Sequence, residues 1–173
     1  SSTDAAGNVS SLTTGTVDAL PPTLTAVTIS SDNATTTLAK VGDVVTVNFT
    51  ASESIQTPTV TIGGIGATVS NTSGNNWTAT AAMTSNVSSG LIPFTVDYTD
   101  LSGNNGTQVS TTTNSSAVTF DKTAPTVTLS SDVSRLQVGA TARVTFTLSE
   151  RSPDFNPLLP AMVQVSYGSL SNV

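Results

Sequence analysis

The stretch Tyr98-Thr99-Asp100-Leu101-Ser102-Gly103-Asn104 has a near-copy at the start of the chain, Thr3-Asp4-Ala5-Ala6-Gly7-Asn8. In both, an Asp stands three residues before a Gly, and an Asn follows the Gly. Asp and Asn side chains bond nearby backbone, and Gly takes a positive φ without steric cost. The pattern therefore reads as a tight turn between extended runs. A turn that recurs with its surroundings points to an array of similar modules, which constrains the fold more than any other feature of the chain.

The runs around the second copy alternate apolar and polar residues with the period of a half-buried strand. Val45, Val47 and Phe49 share one side of Asp43–Ala51. Thr23–Ser30, Thr57–Ile62, Ala67–Ser70, Trp77–Met83 and Leu91–Thr99 read as further strands. Gly106–Phe120 reads as a long final strand interrupted near Asn114. Loops rich in Gly, Asn, Ser and Thr separate them. About seven short strands with regular turn signals give an all-β reading: an immunoglobulin-like antiparallel β-sandwich, with Trp77 and Phe94 as core anchors.

The same order begins again after residue 120. Ala124-Pro125-Thr126 and Thr128-Leu129-Ser130-Ser131-Asp132 echo Pro21-Pro22-Thr23 and Thr28-Ile29-Ser30-Ser31-Asp32. Val144–Glu150 echoes Val47–Glu53. The domain reading is residues 1–20 as the closing strand region of a preceding repeat or a donated strand, 21–120 as a complete sandwich, and 121–173 as the front half of another. The fold class is thus immunoglobulin-like sandwich repeats in tandem. The chain does not begin with Met and is read as a segment of something longer.

The Asp-x-x-Gly-Asn turns (Asp4–Asn8, Asp100–Asn104), the Thr-Ala-Pro-Thr start (Thr123–Thr126) and the strand Val138–Glu150 resemble the tandem bacterial immunoglobulin-like repeats of large secreted adhesins and biofilm-associated surface proteins. The resemblance covers essentially the whole chain. It implies an extracellular or cell-surface stalk, often rigidified by calcium.

Composition excludes several chemistries. The chain has no Cys and no His, which removes thiolate metal sites, disulfides and His-dependent triads. Only five Lys and Arg residues occur, and they are scattered, so no basic patch suits nucleic acid. No apolar run is long enough to span a bilayer. The chain is expected not to be an enzyme.

Calcium is the expected cofactor, if any. In an immunoglobulin topology the incoming linker, the loop after the second strand and the last hairpin turn share one end. Asp18, Glu53, Asp100 and Asn104 meet there, and Asp121 and Glu150 are the repeat equivalents of Asp18 and Glu53. Oxygen ligands without His or Cys suit Ca²⁺. The same residues also read as turn acceptors (Asp4, Asp100) and solvated loop acids (Glu53, Glu150).

Three functions stand at this point: a spacer or stalk in adhesion or biofilm matrix, a filament subunit joined by strand complementation between copies, and a carbohydrate-binding accessory module of a secreted enzyme. The expected partners are neighbouring repeats or copies of the chain, and cell-surface or matrix polysaccharide.

Overall fold

The computed structural model describes residues 3–9 and 17–150, and its regular structure is all β. It divides into two compact units, Ser1–Lys122 and Thr123–Val173. Of the expected closing strand region 1–20, residues 1–2 and 10–16 lie outside the described residues, as does 151–173 of the expected half-repeat.

In the first unit, β1 (Leu24–Ser31), β3 (Val44–Ala51), β7 (Asn76–Ala82) and β6 (Thr68–Ser73) form one antiparallel sheet in the order β1-β3-β7-β6. A second sheet is β5 (Ile65–Gly66), β4 (Thr59–Ile62) and β9 (Phe94–Asp97). Three short strands, β2 (Leu38–Ala39), β10 (Thr119–Phe120) and β8 (Gly90–Leu91), make a third. The alternation read from the sequence sets the inward faces. Val45, Val47 and Phe49 from β3, Val60 and Ile62 from β4, and Phe94 and Val96 from β9 join one buried cluster with Trp77, Val118 and Phe120. Burying each such side chain fully contributes about 1.5–3 kcal/mol. The arrangement is consistent with an immunoglobulin-like sandwich for this part of the chain.

Two expectations need correction. The β2–β10 pair is parallel, so the sheets are not antiparallel throughout. The long final strand over Gly106–Phe120 is also broken. Only a bridge at Val109 and the pair Thr119–Phe120 are laddered. Between them the side chains compete with the backbone: Asn114 Oδ1 accepts from the Ser116 amide at 3.1 Å, and Thr112 Oγ1 donates to the Ser116 carbonyl at 2.9 Å. Ser115 turns the chain at φ 60°.

This irregular segment still covers the free edge of β1. Thr113 Oγ1 accepts the Val27 amide at 3.0 Å, and Ser116 Oγ accepts the Ile29 amide at 2.9 Å. An open edge would otherwise invite another strand.

The chain enters and leaves the first unit at opposite poles. Leu24 pairs with Ala51 at one end of the sheet, and Ser31 with Val45 at the other. At the distal end the Lys122 ammonium donates to the carbonyls of Ser85 and Val87, each at 3.1 Å.

In the second unit, β11 (Val127–Ser131) pairs antiparallel with β12 (Val144–Leu148).

Candidate functional site

At the proximal pole, two bonds set the start of β1 beside the end of β3. The Thr23 amide donates to Ser52 Oγ at 3.0 Å, and the Ser52 amide donates to the Thr23 carbonyl at 2.8 Å. The loop that follows carries Glu53 and is tied to the Asp100 turn. Ile55 forms a bridge with Asp100, the Gln56 amide donates to the Thr99 carbonyl, and Gln56 Nε2 donates to the Asp100 carbonyl at 2.9 Å.

The turn itself is closed by its two polar residues. Asp100, only 1% exposed, accepts the Asn104 amide on Oδ1 at 2.8 Å and Asn104 Nδ2 on Oδ2 at 2.7 Å. Gly103 sits at φ 98°, where a side chain would strain the backbone. Burial pushes the Asp100 carboxyl up, but the bonds from the Asn104 side chain and from the backbone of Asn104, Gly103 and Ser102 outweigh it, so the group lies below its ordinary range. The Asp4–Asn8 turn repeats the pattern: the Asn8 amide reaches Asp4 Oδ1 at 2.9 Å, and Asn8 Nδ2 reaches Oδ2 at 2.8 Å. The turn-acceptor reading of Asp4 and Asp100 is therefore correct.

The turn also serves a larger cluster. Asp18, Glu53 and Asp100 place carboxylate oxygens within 4.8 Å of one another. Glu53 is half-buried, and its carboxyl is raised by burial, by the charges of Asp18 and Asp100, and by a hydrogen bond with Asp18. Three hard anionic oxygens this close can coordinate a divalent cation, with carbonyls or water completing the shell.

Asn104 takes part differently from the expectation. It faces the cluster through its amide nitrogen, which donates to Asp100 Oδ2 and, at 3.1 Å, to the Asp18 main-chain carbonyl. In this arrangement it is a strut, since an N–H donor does not ligate a cation. Of the repeat equivalents of Asp18 and Glu53, the Asp121 amide donates to the Ala39 carbonyl, and Glu150 is exposed just after β12.

Sequence reasoning passed over Gln56 and Gly106. A Cβ on Gly106 would lie 2.2 Å from the Tyr98 ring. The Tyr98 ring is 6% exposed, and burial raises its hydroxyl while a bond to the Leu24 backbone lowers it. The sequence reading places Gly106 at the start of the final strand and carries no sign of the ring against it. An open cleft of about 410 Å³ lies beside the cluster, lined by Gln56, Thr57, Asp97, Thr99 and Asn105 among others. Its one aromatic, Tyr98, is spent in the core, so the cleft lacks a ring on which a sugar could stack.

A family model described as Bacterial Ig-like domain matches residues 121–173. No curated protein matches the chain, and no solved structure does. The match agrees with the resemblance read from Thr123–Thr126 and Val138–Glu150. It is consistent, as is the lack of His and Cys, with a non-catalytic structural module.

Proposed function

We propose that this chain is a stalk segment of an extracellular bacterial surface protein, built from immunoglobulin-like modules in series and stiffened at a module boundary by Ca²⁺. The observation that carries the reading is the proximal pole, where the incoming chain contributes Asp18 to a cluster otherwise made by the folded unit. A cation shared by Asp18, Glu53 and Asp100 would fix the direction from which the chain approaches. Entry and exit at opposite poles suit modules strung end to end. The repeated turn bonds at Asp4 and Asp100 support a recurring unit.

Titration calorimetry of the 173-residue chain with CaCl₂ is the test. Binding in the range of extracellular modules, about 10⁻⁴–10⁻³ M, is expected, and Glu53→Gln should weaken it. No binding heat at millimolar Ca²⁺ refutes the cation-stiffened part of the reading.

A second reading, copies joined by an exchanged strand, is favoured by the exposed apolar residues Leu129 and Val144 of the β11–β12 hairpin. It requires polymers that grow with concentration in sedimentation. A monomer at all concentrations removes it.

A further inference from the structure

We propose that the Asp100–Asn104 turn is a latch that grips the main chain of the incoming linker, with Asn104 as the positioning residue and with no cation required. It rests on the reading of residues 18–22 as the approach to a module in series.

The amide group of Asn104 has two hydrogens, and the structure gives each a task. One goes to Asp100 Oδ2 at 2.7 Å, which sets the orientation of the group. The other goes to the Asp18 carbonyl at 3.1 Å. The orienting acceptor is itself immobile. Asp100 is buried, its Oδ1 holds the Asn104 backbone amide, and its carbonyl holds Gln56 Nε2. The linker adds its own stiffness: Asp18 Oδ1 accepts the Leu20 amide at 3.1 Å, and Pro21-Pro22 follows with Pro22 fully buried.

Because the latch takes a carbonyl, it does not depend on which side chain stands at position 18. The carboxylates add a second, ion-dependent hold on the same segment. Without a cation the charges of the carboxylates repel one another, and the Asn104 bond, with the Glu53–Asp18 hydrogen bond and buried Pro22, opposes release of the linker. The latch would keep the linker docked in metal-free protein. The turn at Asp4–Asn8 orients its Asn amide in the same way.

The test is backbone ¹⁵N relaxation of Asp18 and Ala19 in the full chain with excess chelator. The wild type should give order parameters near those of a rigid backbone, about 0.85, and Asn104→Ala should lower them below about 0.6. Asp18→Ala keeps the carbonyl but removes the acceptor of the Leu20 amide, and should lower the order of Ala19 less than Asn104→Ala does. A mobile linker in the chelated wild type, or an equally ordered one in Asn104→Ala, overturns the proposal. Should Asn104→Ala fail to fold, a through-hydrogen-bond coupling from Asn104 Nδ2 to the Asp18 carbonyl in the wild type decides instead, and its absence counts against the latch. These readouts need neither Ca²⁺ binding nor stacked modules, so the latch and the stalk reading can fail separately.

Discussion

The β1–β3 hairpin of the first unit and the β11–β12 hairpin of the second are fastened by the same bonds at both ends. At the open end, Thr23 and Ser52 exchange bonds as Thr126 and Ser149 do. At the closed end, Asp32 Oδ1 accepts the Val44 amide at 2.8 Å, and Asp132 Oδ1 accepts the Arg143 amide at 2.9 Å. Gly42 and Gly139 both take positive φ, 94° and 84°. The strands between these fastenings differ in length, eight residues each in the first hairpin and five in the second. Burial differs far more. Phe49 is 2% exposed, whereas Leu129 is 63% and Val144 is 46% exposed. Local side chains thus suffice to set a hairpin's ends. The second layer, which supplies Val60, Val96 and Phe120 in the first unit, turns that hairpin into a core.

The comparison can be broken most directly at the apolar positions. Phe49→Ala should destabilise the first unit by about 3–5 kcal/mol, whereas Leu129→Ala should stay within about 0.5 kcal/mol, as at other surface sites. Denaturant unfolding of the two variants checks this, and equal losses would mean that the second hairpin is covered in solution. Gly106→Ala should cost about 1–3 kcal/mol by forcing the Tyr98 ring aside. Amide exchange should place that loss in the first unit and leave β11 and β12 unchanged.

Asp32→Ala and Asp132→Ala sharpen the likeness instead. Each removes one side-chain acceptor from a hairpin end and should cost about 1 kcal/mol of local stability, with similar rises in exchange at Val44 and Arg143. The smallest effect is expected where the hairpins differ in charge. Asp43 accepts from Asn33, from the Lys40 amide and from the Lys40 ammonium, and these hold its carboxyl down at about 2. A depressed folded-state value means stability present above the ordinary value of 3.8 and lost as pH falls through about 2. The first hairpin should loosen over that window in an NMR pH titration. The second, with Gln137 and Ala140 at the corresponding positions, should show no such step.

Much of this was legible before any coordinates. Val45, Val47 and Phe49 announced their inward face because alternation is a local property, and Trp77 and Phe94 are buried as read. The meeting of Asp18, Glu53 and Asp100 followed from topology once that topology was guessed. What escaped depends on partners far along the chain. Leu38–Ala39 is too short to show a period, and it is a strand only because Thr119–Phe120 runs beside it. Gly106 reads only as the start of a strand until the Tyr98 ring is set against it. The role of Asn104 turns on which end of its amide faces Asp18, and composition holds no trace of that.

The exit of the first unit has a mechanical consequence. A pull applied at Pro22 and Lys122 reaches β10 from the far pole, while β10 is bonded along its length to β2 on one side and β8 on the other. Tension directed along a strand strains such cross-links side by side, as in a lap joint, instead of peeling them one after another. The tether at Lys122 would then yield first, the seat of Phe120 next, and the rest of the core only afterwards.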